Sequence, residues 1–294
     1  MVYEAFQTMV QGDIDKAEQL CTKAIQTPGE HVLGGVNLLY DIWERRGKPA
    51  EGMKIFREYY AKTGNLEFLG LGSLRLAESG KLDQAKREID PVIARLLKGE
   101  KLEPNIYGYL AYIERRFGDL NAALDAAKQA EKGLKAQNQS QWIAMGDLAA
   151  SLLEDLGRTP EALAEYEFLS HEAPTSSMIL NNYAYHLAVH GQDLPKALSL
   201  VQRSLVLQPD DGNTLDTYGF ILLRMNNTED SINAMVKAYR RLPGETMIRT
   251  HLAQALAKRK SKSPVMQDLL DELRTEPDEK NTAEIDRLLL AIGE

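Results

Sequence analysis

The amino-acid sequence predicts an all-α fold, a solenoid of about eight helix-turn-helix repeats closed by a C-terminal capping helix. Three observations carry this expectation. Small residues recur along the chain at a nearly fixed period, prolines recur at the same period, and the apolar residues between them follow helical spacing. Composition agrees: among 294 residues aromatics make up only 7%, while alanine and leucine are plentiful, which favours helix over sheet.

The small residues are Ala17, Gly52, Ala85, Ala123, Ala162, Ala197, Ser231 and, less clearly, Val265, spaced 33 to 39 residues apart. A glycine stands five residues before each of the first five. Gly191 stands six before Ala197, and Asn226 replaces glycine before Ser231. Pro174, Pro209, Pro243 and Pro277 each follow an apolar helical run, where proline can end a helix but not continue one.

Between these markers Leu180, Tyr183, Ala184 and Leu187 fall at i, i+3, i+4 and i+7, and Ala197, Leu198, Val201 and Leu205 at i, i+1, i+4 and i+8. Each repeat therefore reads as a helix A, a glycine turn, a helix B and a proline loop. A small side chain at the crossing lets the two helices approach closely. The repeats fall at roughly 1–30, 31–64, 65–100, 101–140, 141–175, 176–210, 211–244 and 245–279, with residues 280–294 as the cap.

Local departures carry their own expectations. The third and fourth repeats are long, so extra residues are expected around 93–103 and 132–140. Tyr59 stands where a small residue is usual, predicting irregular packing in the second repeat. In the cap, Asn281 and Glu284 have the spacing of a capping box, ahead of an apolar stripe at Ile285, Leu288, Leu289 and Ile292. The short segment before Gly12 predicts either a short first helix or a chain cut from a longer array.

Several function classes are disfavoured. A net charge of −8 lacks the basic footprint of a nucleic-acid binder, and the cluster KRKSK at 258–262 sits where a helix is expected to end. One cysteine, Cys21, allows neither an internal disulfide nor a multi-cysteine metal site, and it falls where a buried residue of helix B is expected. His186 and His190 have metal-ligand spacing, but Leu187 stands where a zinc protease motif needs glutamate. The phrase GLGS at 70–73 lacks the lysine of a phosphate loop. The expectation is a non-enzymatic protein with no cofactor and no metal. No stretch has the apolar length of a membrane span and the first residues lack the pattern of a signal peptide, so direct membrane insertion is not expected. A cytoplasmic location is the default, and a periplasmic one follows if the chain is an excised piece of an envelope protein.

The period, the small crossing residue, the large residue four positions on and the closing proline together resemble the tetratricopeptide repeat. The match is clearest in Tyr183–Ala184, Leu187, Ala197, Val201 and Pro209, then in Tyr218–Gly219, Leu222, Ser231, Met235, Ala238 and Pro243, and then in Leu252–Ala253, Leu256, Leu269 and Pro277. The phrasing of 180–220 is also loosely similar to bacterial members associated with envelope assembly and polysaccharide export.

The resemblance implies a right-handed superhelix whose concave wall is lined by helix A. It places there Asn37, Asp41 and Arg45, then Tyr109, Tyr112, Arg115 and Arg116, then Asp147 and Ser151. Asn181, Asn182 and Tyr185 follow, then Asn213, Asp216, Phe220 and Arg224, and finally His251. Asparagine can donate to and accept from a peptide main chain, tyrosine supplies area at low entropic cost, and arginine pairs with carboxylates. The expected function is a scaffold binding a peptide or helix of a protein partner on this wall. The alternative is self-association through the N-terminal edge. The carboxylate clamp of co-chaperone relatives is matched only at Asn182. Asp216 and Thr217 replace the lysine such a clamp needs.

Overall fold

The computed structural model describes residues 1–27, Gly29 and 31–259. Val265, Leu269, Pro277, the expected cap at 280–294 and most of the basic cluster lie outside the described residues. Within them the chain forms helices joined by short turns, with no strand among the described residues. In order they are α1 (Val2–Val10), α2 (Ile14–Gln26), α3 (His31–Arg45), α4 (Pro49–Thr63), α5 (Glu67–Glu78), α6 (Leu82–Leu97), α7 (Pro104–Phe117) and α8 (Leu120–Ala136). Then come α9 (Trp142–Asp155), α10 (Thr159–Glu172), α11 (Ser177–Val189), α12 (Leu194–Leu207), α13 (Gly212–Arg224), α14 (Thr228–Arg241) and α15 (Thr246–Arg259). None is long and apolar enough to cross a membrane.

The recurring glycines make the turns. Gly12, Gly47, Gly80, Gly118, Gly157 and Gly191 all have left-handed backbones, and Asn226 takes the same conformation at φ 64°. After each of them the next residue donates its N–H to a carbonyl five residues back, as Lys48 does to Trp43 at 2.8 Å and Asn227 to Leu222 at 2.9 Å. This bond satisfies a carbonyl that the helix end would otherwise leave orphaned. The turn containing Gly191 has one residue more than the others. It accommodates it with a second left-handed residue, Asp193, whose side chain then accepts from the N–H of Lys196 to cap α12.

Crossing positions are fully packed. Ala17, Ala85, Ala123, Ala162, Ala197 and Ser231 have no solvent exposure, and a Cβ on Gly52 would stand 2.6 Å from the ring of Tyr40. Pro174, Pro209 and Pro243 each lie two residues beyond the ends of α10, α12 and α14. The two long repeats contain the longest helices, α6 with 16 residues and α8 with 17. Helix α6 runs through Pro91, which removes one backbone donor from its interior.

The chain divides into two compact units, Met1–Arg158 and the segment from Thr159 onward. In each, consecutive helices pack together. Odd-numbered helices also touch the next odd one, as α1, α3, α5 and α7 do in the first unit and α11, α13 and α15 in the second. The odd helices thus form one layer and the even helices the other. In the first unit Tyr40, Phe56, Ile42 and the fully buried Cys21 share one core. Tyr59 fits there by donating its hydroxyl to the Ile25 carbonyl at 2.9 Å and setting its ring 5.5 Å from Phe68.

Candidate functional site

In the second unit the odd layer brings repeat-equivalent positions side by side. Ser176 caps α11 and Asp211 caps α13, its carboxylate accepting from the N–H of Thr214 at 2.7 Å. These caps fix the register in which α11 presents Asn181, Asn182 and Tyr185 and α13 presents Asn213, Asp216 and Phe220. Helix α15 adds Met247, Ile248 and His251.

Across the layer, His251 Nδ1 meets Asp216 Oδ2 at 2.7 Å, with both side chains more than nine-tenths buried. The His251 ring stacks on Phe220 at 4.6 Å, and Tyr185 lies 5.8 Å from Phe220 and 6.3 Å from His251. The Arg224 guanidinium lies over the outer part of this stack, 5.9 Å from the Phe220 ring. The Tyr185 hydroxyl reaches Met247 Sδ at 3.4 Å, and Asn181 donates to Asn182 Oδ1 at 3.2 Å. Burial, and then the negative charge of Asp216, push the Tyr185 hydroxyl above its ordinary pKa.

A cleft of about 210 Å³ opens between these helices, lined by Asn181, Asn182, Tyr185, Asn213, Asp216, Thr217, Glu245, Met247 and Ile248. Two buried oxygens there, Asp216 Oδ1 and Asn181 Oδ1, have no hydrogen-bond partner. Buried polar atoms are nearly always paired, so two acceptors without donors in one cleft set this place apart.

The family model of the tetratricopeptide repeat matches residues 148–212, which include α11 and α12. Residues 148–212 thus carry the tetratricopeptide repeat. Among solved structures it is similar to a tetratricopeptide-repeat protein from Parabacteroides merdae, with 16% identity, a TM-score of 0.56, and coverage of 87% of this chain and 97% of that one. It is also similar to the C-terminal part of a repeat-containing protein from Cytophaga hutchinsonii, at 14% identity and a TM-score of 0.51, covering 69% of this chain and 77% of that one. YrrB, described as a tetratricopeptide-repeat protein with an unusual peptide-binding site, aligns at 16% identity and a TM-score of 0.48, over 70% of this chain and 98% of its own. No curated protein matches the chain.

Tetratricopeptide repeats are generally non-catalytic scaffolds for protein–protein interaction, and that is the coarse function this fold carries. Within this repeat protein the residues expected on the binding wall have different surroundings. Asp216, Phe220 and His251 are buried, deeper than an exposed wall position implies, because each packs against its repeat-equivalent neighbour. Asn181, Asn182 and Tyr185 are half-buried, while Asn213 and Arg224 are exposed. Thr217, Glu245, Met247 and Ile248 also line the cleft and were not expected. Met247 stands one repeat after Asn213, so register alone points to it. His186 stacks on Tyr166 at 4.9 Å, and His190 is exposed.

In the first unit Asn37 and Asp41 are held by Arg75, an arginine the sequence pattern does not single out, at 2.9 and 3.1 Å. Arg75 also covers the Tyr40 ring, while Arg45 is exposed. Tyr109 packs on Gly70, and burial, with a smaller push from Glu67, raises its hydroxyl to about 12. Tyr112 and Arg116 are exposed. Arg115 bonds Ser151 at 3.2 Å and Asp155 at 2.8 Å, and partial burial, then the charge of Asp147, raise the Tyr112 hydroxyl above its ordinary pKa. A larger cavity of about 730 Å³ also lies in this unit, lined by Tyr59, Phe68, Asn65 and Asn105 among others. It contains none of the expected wall residues and none of the unpartnered buried atoms, so the smaller cleft is the stronger candidate.

Proposed function

We propose that the α11–α13–α15 layer holds an extended segment of a protein partner, with the cleft as its anchoring point. The observation that carries this reading is the pair of buried acceptors without donors, flanked by amide and tyrosine side chains able to bond a main chain. A bound segment supplies donors that the free protein lacks, and binding then relieves a cost the fold carries alone.

The test is retention of partner by the full chain from an extract of its native cell. Asn182→Ala and Tyr185→Ala should each abolish retention, while Lys237→Ala, exposed on α14 in the even layer, should not. Equal retention by all three variants removes the odd layer from consideration.

A second reading rests on a different observation. Tyr3, Phe6 and Val10 form an apolar stripe on α1, each at least half exposed, which suits association with another protein surface or a second copy. Light scattering over a concentration series tests the self-association form. A constant monomer mass eliminates it.

A further inference from the structure

The polarity of the cleft identifies what the partner must offer. We infer that the cleft between α11, α13 and α15 is an anchor for a cationic side chain, a lysine ammonium or arginine guanidinium, carried by the partner segment. This rests on the peptide-binding reading and names the chemistry of its anchor.

Asp216 is only 4% exposed, and its two oxygens are in different situations. Oδ2 is taken by His251 Nδ1, while Oδ1, a buried atom of a residue that lines the cleft, has no hydrogen-bond partner among the described residues. Asn181 Oδ1 is in the same state, because its amide nitrogen is the atom that bonds Asn182. Both vacant groups are acceptors, so a ligand must donate. Glu245 lines the same cleft and adds a second carboxylate.

A carboxylate ligand would meet like charge here, which is why the carboxylate clamp of related scaffolds does not fit these residues. Nearby cations do not fill the place. Arg224 gives Nη1 to the Val189 carbonyl at 3.3 Å, and Asp216 Oδ1 accepts no hydrogen bond among the described residues.

Size points the same way. At about 210 Å³ the cleft is below the range of roughly 300–1,000 Å³ usual for small-molecule sites, and suits one side chain. Its walls supply what a long basic side chain uses: the Tyr185 ring and the Met247 thioether along the stem, and carboxylates at the head. The net charge of −8 favours approach of a basic segment from a distance.

Met247 makes the proposal directly observable. The full chain, labelled with ¹³C at methionine methyls, is titrated with N-acetyl-lysine methylamide and N-acetyl-arginine methylamide to about 50 mM, the range expected of fragments this small. The Met247 signal is assigned by its loss in Met247→Leu. Both cationic probes should shift it saturably. N-acetyl-norleucine methylamide, with an equal stem and no charge, should bind at least about tenfold more weakly, since a charged hydrogen bond is lost. Asp216→Asn should erase that preference.

No saturable shift, an equal response to norleucine, or a stronger response to N-acetyl-glutamate methylamide overturns the inference. A stronger response to calcium or magnesium also overturns it, assigning the acceptors to a metal. Should Asp216→Asn fail to fold, the lysine-to-norleucine ratio in the unaltered protein decides alone. Failure of the cationic probes with partner retention still dependent on Asn182 and Tyr185 would leave the groove standing and remove only its cationic anchor.

Discussion

Replacing His251 alone should damage this fold more than replacing His251 and Asp216 together. His251→Ala deletes the only side-chain donor to the Asp216 carboxylate among the described residues, and the ring stacked 4.6 Å from Phe220. A carboxylate 6% exposed is then left with neither oxygen paired, and breaking a buried pair in this way costs about 3–5 kcal/mol. In the double variant Asp216→Leu, His251→Phe the aromatic stack is kept and both polar demands vanish. Exchanging a buried pair for apolar residues of similar volume is neutral or stabilising by about 1–4 kcal/mol. The two proteins should therefore differ by about 3 kcal/mol or more. With a urea dependence of about 1–3 kcal/mol per molar for a unit this size, the single variant's midpoint falls roughly 1–3 M below the double's. The measurement is urea unfolding followed by far-ultraviolet circular dichroism, because both tryptophans, Trp43 and Trp142, lie in the first unit and do not report on the second. A double variant as unstable as the sum of its single changes would refute the reasoning, because the pair would then be a net support of the fold.

Three further outcomes follow from local structure. Burial, aided by Glu18, pushes the Cys21 thiol up to about 11 from an ordinary 9.0, so at pH 8 the thiolate fraction is about 100-fold smaller than in an exposed cysteine. Iodoacetamide should label the native protein at least that much more slowly than the urea-unfolded chain, and comparable rates would contradict the burial. The same shift makes its contribution to stability complete below pH 9 and lost as pH rises through 11. Pro91 is exposed inside α6, so Pro91→Ala restores a backbone donor without opening a cavity and should stabilise the protein by about 1–3 kcal/mol in thermal unfolding. A lowered midpoint would refute this. A Cβ on Gly219 would stand 2.6 Å from Met235 Cγ and 3.1 Å from the Ser231 carbonyl. Overpacking should outweigh the roughly 1 kcal/mol gained in helix propensity, so Gly219→Ala should lose about 1 kcal/mol, and a gain would mean that α13 and α14 are not so tightly crossed.

The helix pairs were legible because backbone geometry imposes them at single positions. A left-handed turn asks for glycine or asparagine, a close crossing asks for a small side chain, and these demands recur wherever the unit recurs. What escaped is what depends on partners a repeat away. Arg75 belongs to no recurring position of the repeat, yet it closes on Asn37 and Asp41 of the preceding repeat. Pro91 lies inside α6, which continues past it with Ile89 and Val92 on either side both buried. The second left-handed residue at Asp193 follows from one inserted position whose strain no pattern of apolar residues records.

The candidate site is half legible for the same reason. Its helix and its register come from the period, which is why Asn181, Asn182, Tyr185 and Asp216 could be named. Its depth comes from the side chain at the equivalent position one repeat on, and a period does not specify that. Asp216 is buried because His251 and Phe220 close over it, and a leucine there would satisfy the same register at lower cost. In the proposal above, the unpaired acceptor at Asp216 Oδ1 is the point that a partner's donor would satisfy. The feature that a pattern of helices treats as an irregularity is thus the one on which the cationic anchor is proposed.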